Sequence, residues 1–192
     1  DHGHGEDHAH DHDHAHRDDH AHGAVDPHAW LDPANARVWL PVIAAELAAL
    51  DPDNAATYAA NADAAATEIA ALEAEIADAL AGLGDRPFIV FHDAYRYFEA
   101  RFGLEAAGAI SLSDASEPGP ARIAEIRDRV ADLEAVCVFA EPQFNTDLVS
   151  AVFEGTNVSL GIIDPLGSAQ EIGPGHYAST LRAMAESVRD CL

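Results

Sequence analysis

The 192 residues predict an α/β protein: a four-stranded parallel sheet flanked by helices, with a long helix in front of it. Three observations carry this. After Arg86, short continuous apolar runs alternate with helical patterns, the texture of a parallel sheet covered on both faces. Before Arg86, apolar residues recur at steps of three or four over almost thirty positions. The first 23 residues contain no Leu, Ile, Val, Phe, Trp or Tyr, so they stand apart from all that follows. The expected division is a His/Asp-rich segment over 1–24, linker helices over 25–84 and an α/β lobe over 85–192.

The first segment cannot bury apolar area to offset its ordering entropy, and it is expected to be mobile. Asp32-Pro33 then reads as N-cap and first helical residue, opening a short helix that ends by Leu50 and that Pro41 is expected to bend. Asp51-Pro52 repeats the signal. From there Ala55, Tyr58, Ala62, Ala65, Ile69, Leu72, Ile76, Leu80 and Leu83 form one stripe, predicting a helix of about 30 residues and 45 Å. Such a spine runs along more than one body; a coiled coil or a long amphipathic helix lying on its own domain are the alternatives. Strands follow at Pro87 to Asp93, Ala106 to Leu112, Ala135 to Ala140 and Val158 to Ile163. Helices are expected at Ala94 to Phe102, Pro120 to Leu133, Thr146 to Glu154 and His176 to Cys191. In such folds ligands bind beyond the carboxyl ends of the strands, where this sequence places His92-Asp93, Glu141 and Asp164.

Charge narrows the function. Thirty-four acids against ten basic residues give a net charge of −24, which repels nucleic acid and anionic lipid heads. No stretch approaches the 18 or so apolar residues of a membrane span, arguing against direct membrane insertion. Residues 1–22 hold −6 of that charge together with nine of the twelve His: His2, His4, His8, His10, His12, His14, His16, His20 and His22. Neutral imidazole is a common zinc ligand, and His alternating with Asp offers many two- or three-point sites of moderate affinity. The interleaved acids set this segment apart from a plain purification tag. Of the remaining His, His28 lies in DPHAWLDP at a helix start, His92 ends a buried strand, and His176 follows GPG and reads as exposed. No P-loop, G-x-S-x-G, H-E-x-x-H or C-x-x-C motif is present. Cys137 sits in an apolar strand run and Cys191 ends the last helix. They read as a pair pinning the C-terminus to the sheet, worth roughly 4 kcal/mol in the chain-entropy model, or as two unrelated buried thiols. A pair suits an oxidising compartment. The only Met is Met184 and no basic-then-apolar leader is visible, so a processed or truncated chain is expected.

Taken in order, the His- and acid-rich segment, DPHAWLDPANA, the long helix, FIVFHDAYRYFEARFGL, SDASEPGPARI, VFAEPQFN and IIDPLG resemble the zinc-binding periplasmic proteins of bacterial ABC zinc importers, the ZnuA type. The resemblance covers nearly the whole chain. It implies two α/β lobes joined by a long helix, Zn²⁺ held in the cleft between them, and delivery to a membrane permease with its ATPase. It also implies a periplasmic location, a monomer at full length and a periplasmic zinc chaperone as a further partner. His28 and His92 match family zinc ligands; the remaining family His belongs to an N-terminal lobe that this sequence lacks. Asp164 falls where related proteins place a carboxylate, as a fourth ligand or as a supporting group. Cys137 and Cys191 match a disulfide of the family's second lobe. The competing functions are a metal-dependent hydrolase using His92, Asp93 and Asp164 with a zinc-activated water, and a metal-storing or adhesive surface protein.

Overall fold

The computed structural model describes residues 26–111, 119–132, 134–144, 149–150 and 153–192. The nine N-terminal His, and most of the helix expected over Thr146 to Glu154, lie outside them. A 3₁₀ turn, Ala29–Leu31, leads into α1 (Pro33–Leu50); a second, Pro52–Asn54, leads into α2 (Ala55–Leu80). Then come β1 (Phe88–His92), α3 (Arg96–Phe102), β2 (Gly108–Ser111), α4 (Pro120–Asp132), β3 (Cys137–Ala140), β4 (Ser159–Ile162) and α5 (His176–Cys191).

The sheet order is β2-β1-β3-β4 and every pairing is parallel, as the apolar runs predict. The pleat sorts side chains between two cores. Phe88 and Val90 of β1, with Cys137 and Phe139 of β3, face Leu72, Ile76 and Leu80 of α2 and Leu181, Met184 and Val188 of α5. Ile89 and Phe91, with Val138 and Ala140, face the other way, onto Ile126 and Val130 of α4. Both faces of β1 and β3 are therefore apolar and buried, which is why they read as continuous runs rather than alternating ones; the edge strand β4 departs from the expected cover, with Leu160 and Ile162 exposed. Gly161 on β4 has no room for a side chain: a Cβ there would lie 2.7 Å from the Phe139 ring and 3.3 Å from Cys191 Sγ. The missing methyl lets the end of α5 reach the sheet, where Cys137 and Cys191 form a disulfide with Cα atoms 5.8 Å apart.

The spine differs from expectation at its ends. Asp51 accepts hydrogen bonds from Asn54 Nδ2 and Tyr58 Oη, both 2.8 Å, so the first turn after Pro52 is 3₁₀ and α2 runs 26 residues, about 39 Å. Its stripe is shared between two bodies: the C-terminal half enters the sheet core, and the N-terminal half packs along α1. Arg37 near the start of α1 pairs with Glu73 of α2 (3.3 Å), and Leu47 and Tyr58 border one groove, so α1 and α2 form an antiparallel hairpin. α1 has the bounds expected, from the Asp32 cap to Leu50. It continues through Pro41 for 18 residues, losing one ladder donor at that point. Away from α2 it is apolar and uncovered: Val38, Val42 and Leu50 are exposed, Leu50 at 84%, and Glu46 is the one charged residue on that side among the described residues. Among the described residues no helix is long and apolar enough to cross a membrane.

Two outcomes follow from these contacts. Reducing the intact chain adds about 2 Da by mass spectrometry, and Cys137→Ala/Cys191→Ala lowers stability by about 2–4 kcal/mol in urea unfolding. Glu99 of α3 is half-buried, and although it accepts the Ala106 N–H (3.2 Å), loss of solvent around it raises its carboxyl from 4.5 to about 6. The native state therefore holds that proton more firmly than the unfolded chain, so this group's contribution falls by about 2 kcal/mol as pH rises through that window. Unfolding free energies of Glu99→Gln, measured between about pH 4.5 and 6 against the parent chain, should lack this decline.

Candidate metal centre

The site is assembled from the ends of elements. β1 delivers His92 as its last residue, on the face that Phe88 and Val90 present to α2. β3 is in register with β1 at a constant offset, Phe88 with Cys137 and Val90 with Phe139, and the same offset sets Glu141 beside His92. The two meet at 2.5 Å, His92 Nδ1 to Glu141 Oε1, both side chains buried. Tyr95, one turn past β1, lies in the same buried corner; burial and then the Glu141 carboxylate hold its phenol protonated, with a pKa well above 10.

His28 arrives from the other side. Asp26 Oδ1 accepts both the His28 amide (2.9 Å) and His28 Nδ1 (2.8 Å), closing a tight local turn. The 3₁₀ turn after it is anchored by Leu31, fully buried in the α2–α5 core. Asn35 Nδ2 donates to Ala29 O (3.0 Å), Trp30 Nε1 donates to Pro165 O (3.2 Å), and Tyr177 Oη donates to Trp30 O (2.9 Å). Asp32 caps α1 through the Ala34 amide and takes both arms of Arg101 from α3, at 2.7 and 2.9 Å. The turn is thus tied to the lobe on three sides, and the His28 and His92 ring centroids stand 5.3 Å apart at 66°. A cleft of about 270 Å³ opens beside them, walled by Trp30, Gln143, Phe144, Pro165 and Leu166.

Asp164 behaves differently. Its Oδ1 accepts from Gln143 Nε2 (2.5 Å) and the Leu166 amide (3.1 Å), and its Oδ2 from the amide and hydroxyl of Ser168 (2.5 and 2.6 Å). Burial raises its pKa, but these bonds outweigh burial and leave it below the usual 3.8. The carboxylate shapes the loop whose Pro165 and Leu166 wall the cleft. Gly167 in that loop has φ +64°, and a Cβ there would strike Thr180 Oγ1 at 2.0 Å, so only glycine lets the loop lie on α5. His176, expected to be exposed, is half-buried: Nδ1 lies 3.3 Å from Glu171 O and Nε2 3.2 Å from Leu166 O, bracing the same loop. Among the described residues, no group of three or more His, Cys, Asp or Glu clusters as a complete cation site. The structure thus brings together His28 and His92, and leaves Asp164 outside any three-ligand cluster.

The comparisons agree with this architecture. The family model described as zinc-uptake complex component A, periplasmic (ZnuA), matches residues 1–191. The chain belongs to the ZnuA family. The high-affinity zinc uptake system protein ZnuA of Paracoccus denitrificans (strain Pd 1222) is 49% identical over 162 residues, covering 84% of this chain and 50% of the relative. The Brucella abortus (strain 2308) protein of the same description is 47% identical over 161 residues, covering 84% and 48%. A crystal structure of ZnuA superposes with a TM-score of 0.75 at 31% identity, covering 88% of this chain and 62% of that one. The chain therefore spans about half the length of the curated relatives it matches, and the one α/β lobe described above is what that half contains.

Sequence reasoning singled out Glu141 only as a polar strand end and did not identify Asp26, Trp30 or Gln143. The parallel offset between β1 and β3 is the signal that pairs Glu141 with His92. Trp30→Phe keeps a ring against His28 but removes the donor to Pro165 O. It should cost about 1 kcal/mol in urea unfolding and speed hydrogen exchange of the Leu166 and Ser168 amides.

Proposed function

We propose that this chain is the cation-holding part of a periplasmic carrier that captures Zn²⁺ as cargo and passes it to the permease of an ABC importer. The observation that carries the reading is the convergence of His28 and His92, far apart in sequence, on one cleft at the carboxyl edge of the sheet. Membership of a zinc-uptake family supports it. Imidazole donors suit Zn²⁺ better than Mn²⁺, which takes more oxygen ligands. His28 comes from the spine side and His92 from the sheet, so one ion held by both ties together elements of separate origin. The further donors that a tetrahedral ion needs come from the part of the relatives' length that this chain does not span. Asp164, its oxygens engaged within its own loop, serves as support for the cleft wall. The nine His of residues 1–22 collect cations at lower affinity beside the main site, aided by the local −6 charge. Their affinity falls at mildly acidic pH, because a protonated imidazole does not ligate. The chain acts as a carrier and performs no turnover.

Isothermal titration of the chain with Zn²⁺ should give one tightest site, lost in His28→Ala and His92→Ala, and several weaker ones, lost on deleting residues 1–23. Retention of the tightest site in both single variants overturns the assignment.

A further inference from the structure

We infer that Glu141 and Asp26 are positioning residues that fix the tautomers of His92 and His28, so that each imidazole meets the cation through Nε2. The inference rests on reading these two His as zinc ligands, and it adds what sets them for the task. A neutral imidazole carries one N–H, and an ionised carboxylate can only accept. With Glu141 Oε1 2.5 Å from His92 Nδ1, and Asp26 Oδ1 2.8 Å from His28 Nδ1, the proton of each ring belongs on Nδ1. The lone pair is then on Nε2, the atom left to ligate.

The two carboxylates reach their rings by independent routes. Asp26 is local: the same Oδ1 that meets the ring accepts the His28 amide, so ring and backbone are oriented by one atom. Glu141 is remote and depends on the sheet. The β1–β3 ladder ends at Val90 with Phe139, and two residues further along each chain the side chains of His92 and Glu141 meet; a slip of one residue would turn Glu141 to the α4 face. Glu141 is 1% exposed, so it is no solvated surface acid. A carboxylate this buried needs a donor, and the His92 ring supplies one. Asp164, the acid that the sequence singles out, braces a loop; Glu141 is the acid that tunes the ligand.

Long-range ¹H–¹⁵N correlation spectra of the ¹⁵N-labelled 192-residue chain read each imidazole separately, keeping His28 and His92 distinct from the nine His near the N-terminus. In the metal-free chain both rings should be Nδ1–H, and added Zn²⁺ should shift Nε2 of each. Glu141→Gln should move the His92 tautomer population towards Nε2–H and weaken the zinc response at that ring by roughly 10- to 100-fold. Glu141→Asp, which keeps the carboxylate, should recover part of it. In a His92→Ala background Glu141→Gln should have no further effect on zinc binding. An Nε2–H tautomer at His92 in the parent chain, or a Glu141→Gln response within twofold of the parent, overturns the inference. The parent spectrum alone tests the tautomer, even if the variants fail to fold. If His92→Ala leaves the tightest zinc site unchanged, the ligand reading itself fails; if His92→Ala abolishes that site and Glu141→Gln spares it, only the positioning role does.

Discussion

The parallel register of β1 with β3 is the constraint from which the rest of the site follows. Five consecutive buried residues, Phe88 to His92, end on the one imidazole that the sheet contributes. Their pairing with β3 decides which neighbour that imidazole has. The same register sets Cys137 on the face where the end of α5 arrives, so the disulfide and the His92–Glu141 contact are the two ends of one strand pair. Polar chemistry sits at the carboxyl edge and the covalent tie at the amino edge, with Phe139 between them closing the core.

His28 depends on a second constraint, the seating of the 3₁₀ turn. Leu31 is the apolar peg, and Trp30 and Tyr177 add directional bonds between the turn, the Pro165 loop and α5. Charge contributes at the rim. The paired bonds of Arg101 with Asp32 join α3 to the start of α1, and those of Arg182 with Glu75 join α5 to α2. The latter lie in solvent and add little stability. The arrangement is a rigid frame that holds two imidazoles from opposite directions.

Much of this could be read in the sequence because its signals are local. Continuous apolar runs gave the four parallel strands, Asp-Pro pairs gave the two helix starts, and strand-end position gave His92. The motif DPHAWLDP marked His28, while the 3₁₀ turn that carries it has no periodicity of its own. What was not legible depends on long-range geometry. The Glu141–His92 contact needs the β1–β3 offset, and the Trp30 bond to Pro165 spans 135 residues and ends on a backbone carbonyl, which has no sequence signature. His176 looked exposed because its partners are also carbonyls, supplied by an irregular loop. The apolar pattern carried α1 through Pro41 to Leu50, where it ends; an exposed ring at Pro41 forfeits one ladder bond without ending the helix.

That uncovered side governs how copies of the chain behave towards one another. Val38, Val42 and Leu50 offer an adhesive strip on a molecule that carries −24. In dilute salt, like charge keeps two such molecules at a distance larger than the reach of apolar contact. Near 0.1 M the repulsion is confined to about 10 Å and shortens further as salt is added. The colloidal character of the chain is thus a contest between a long-range field spread over its whole surface and a short-range attraction lodged on one helix, with ionic strength deciding between them.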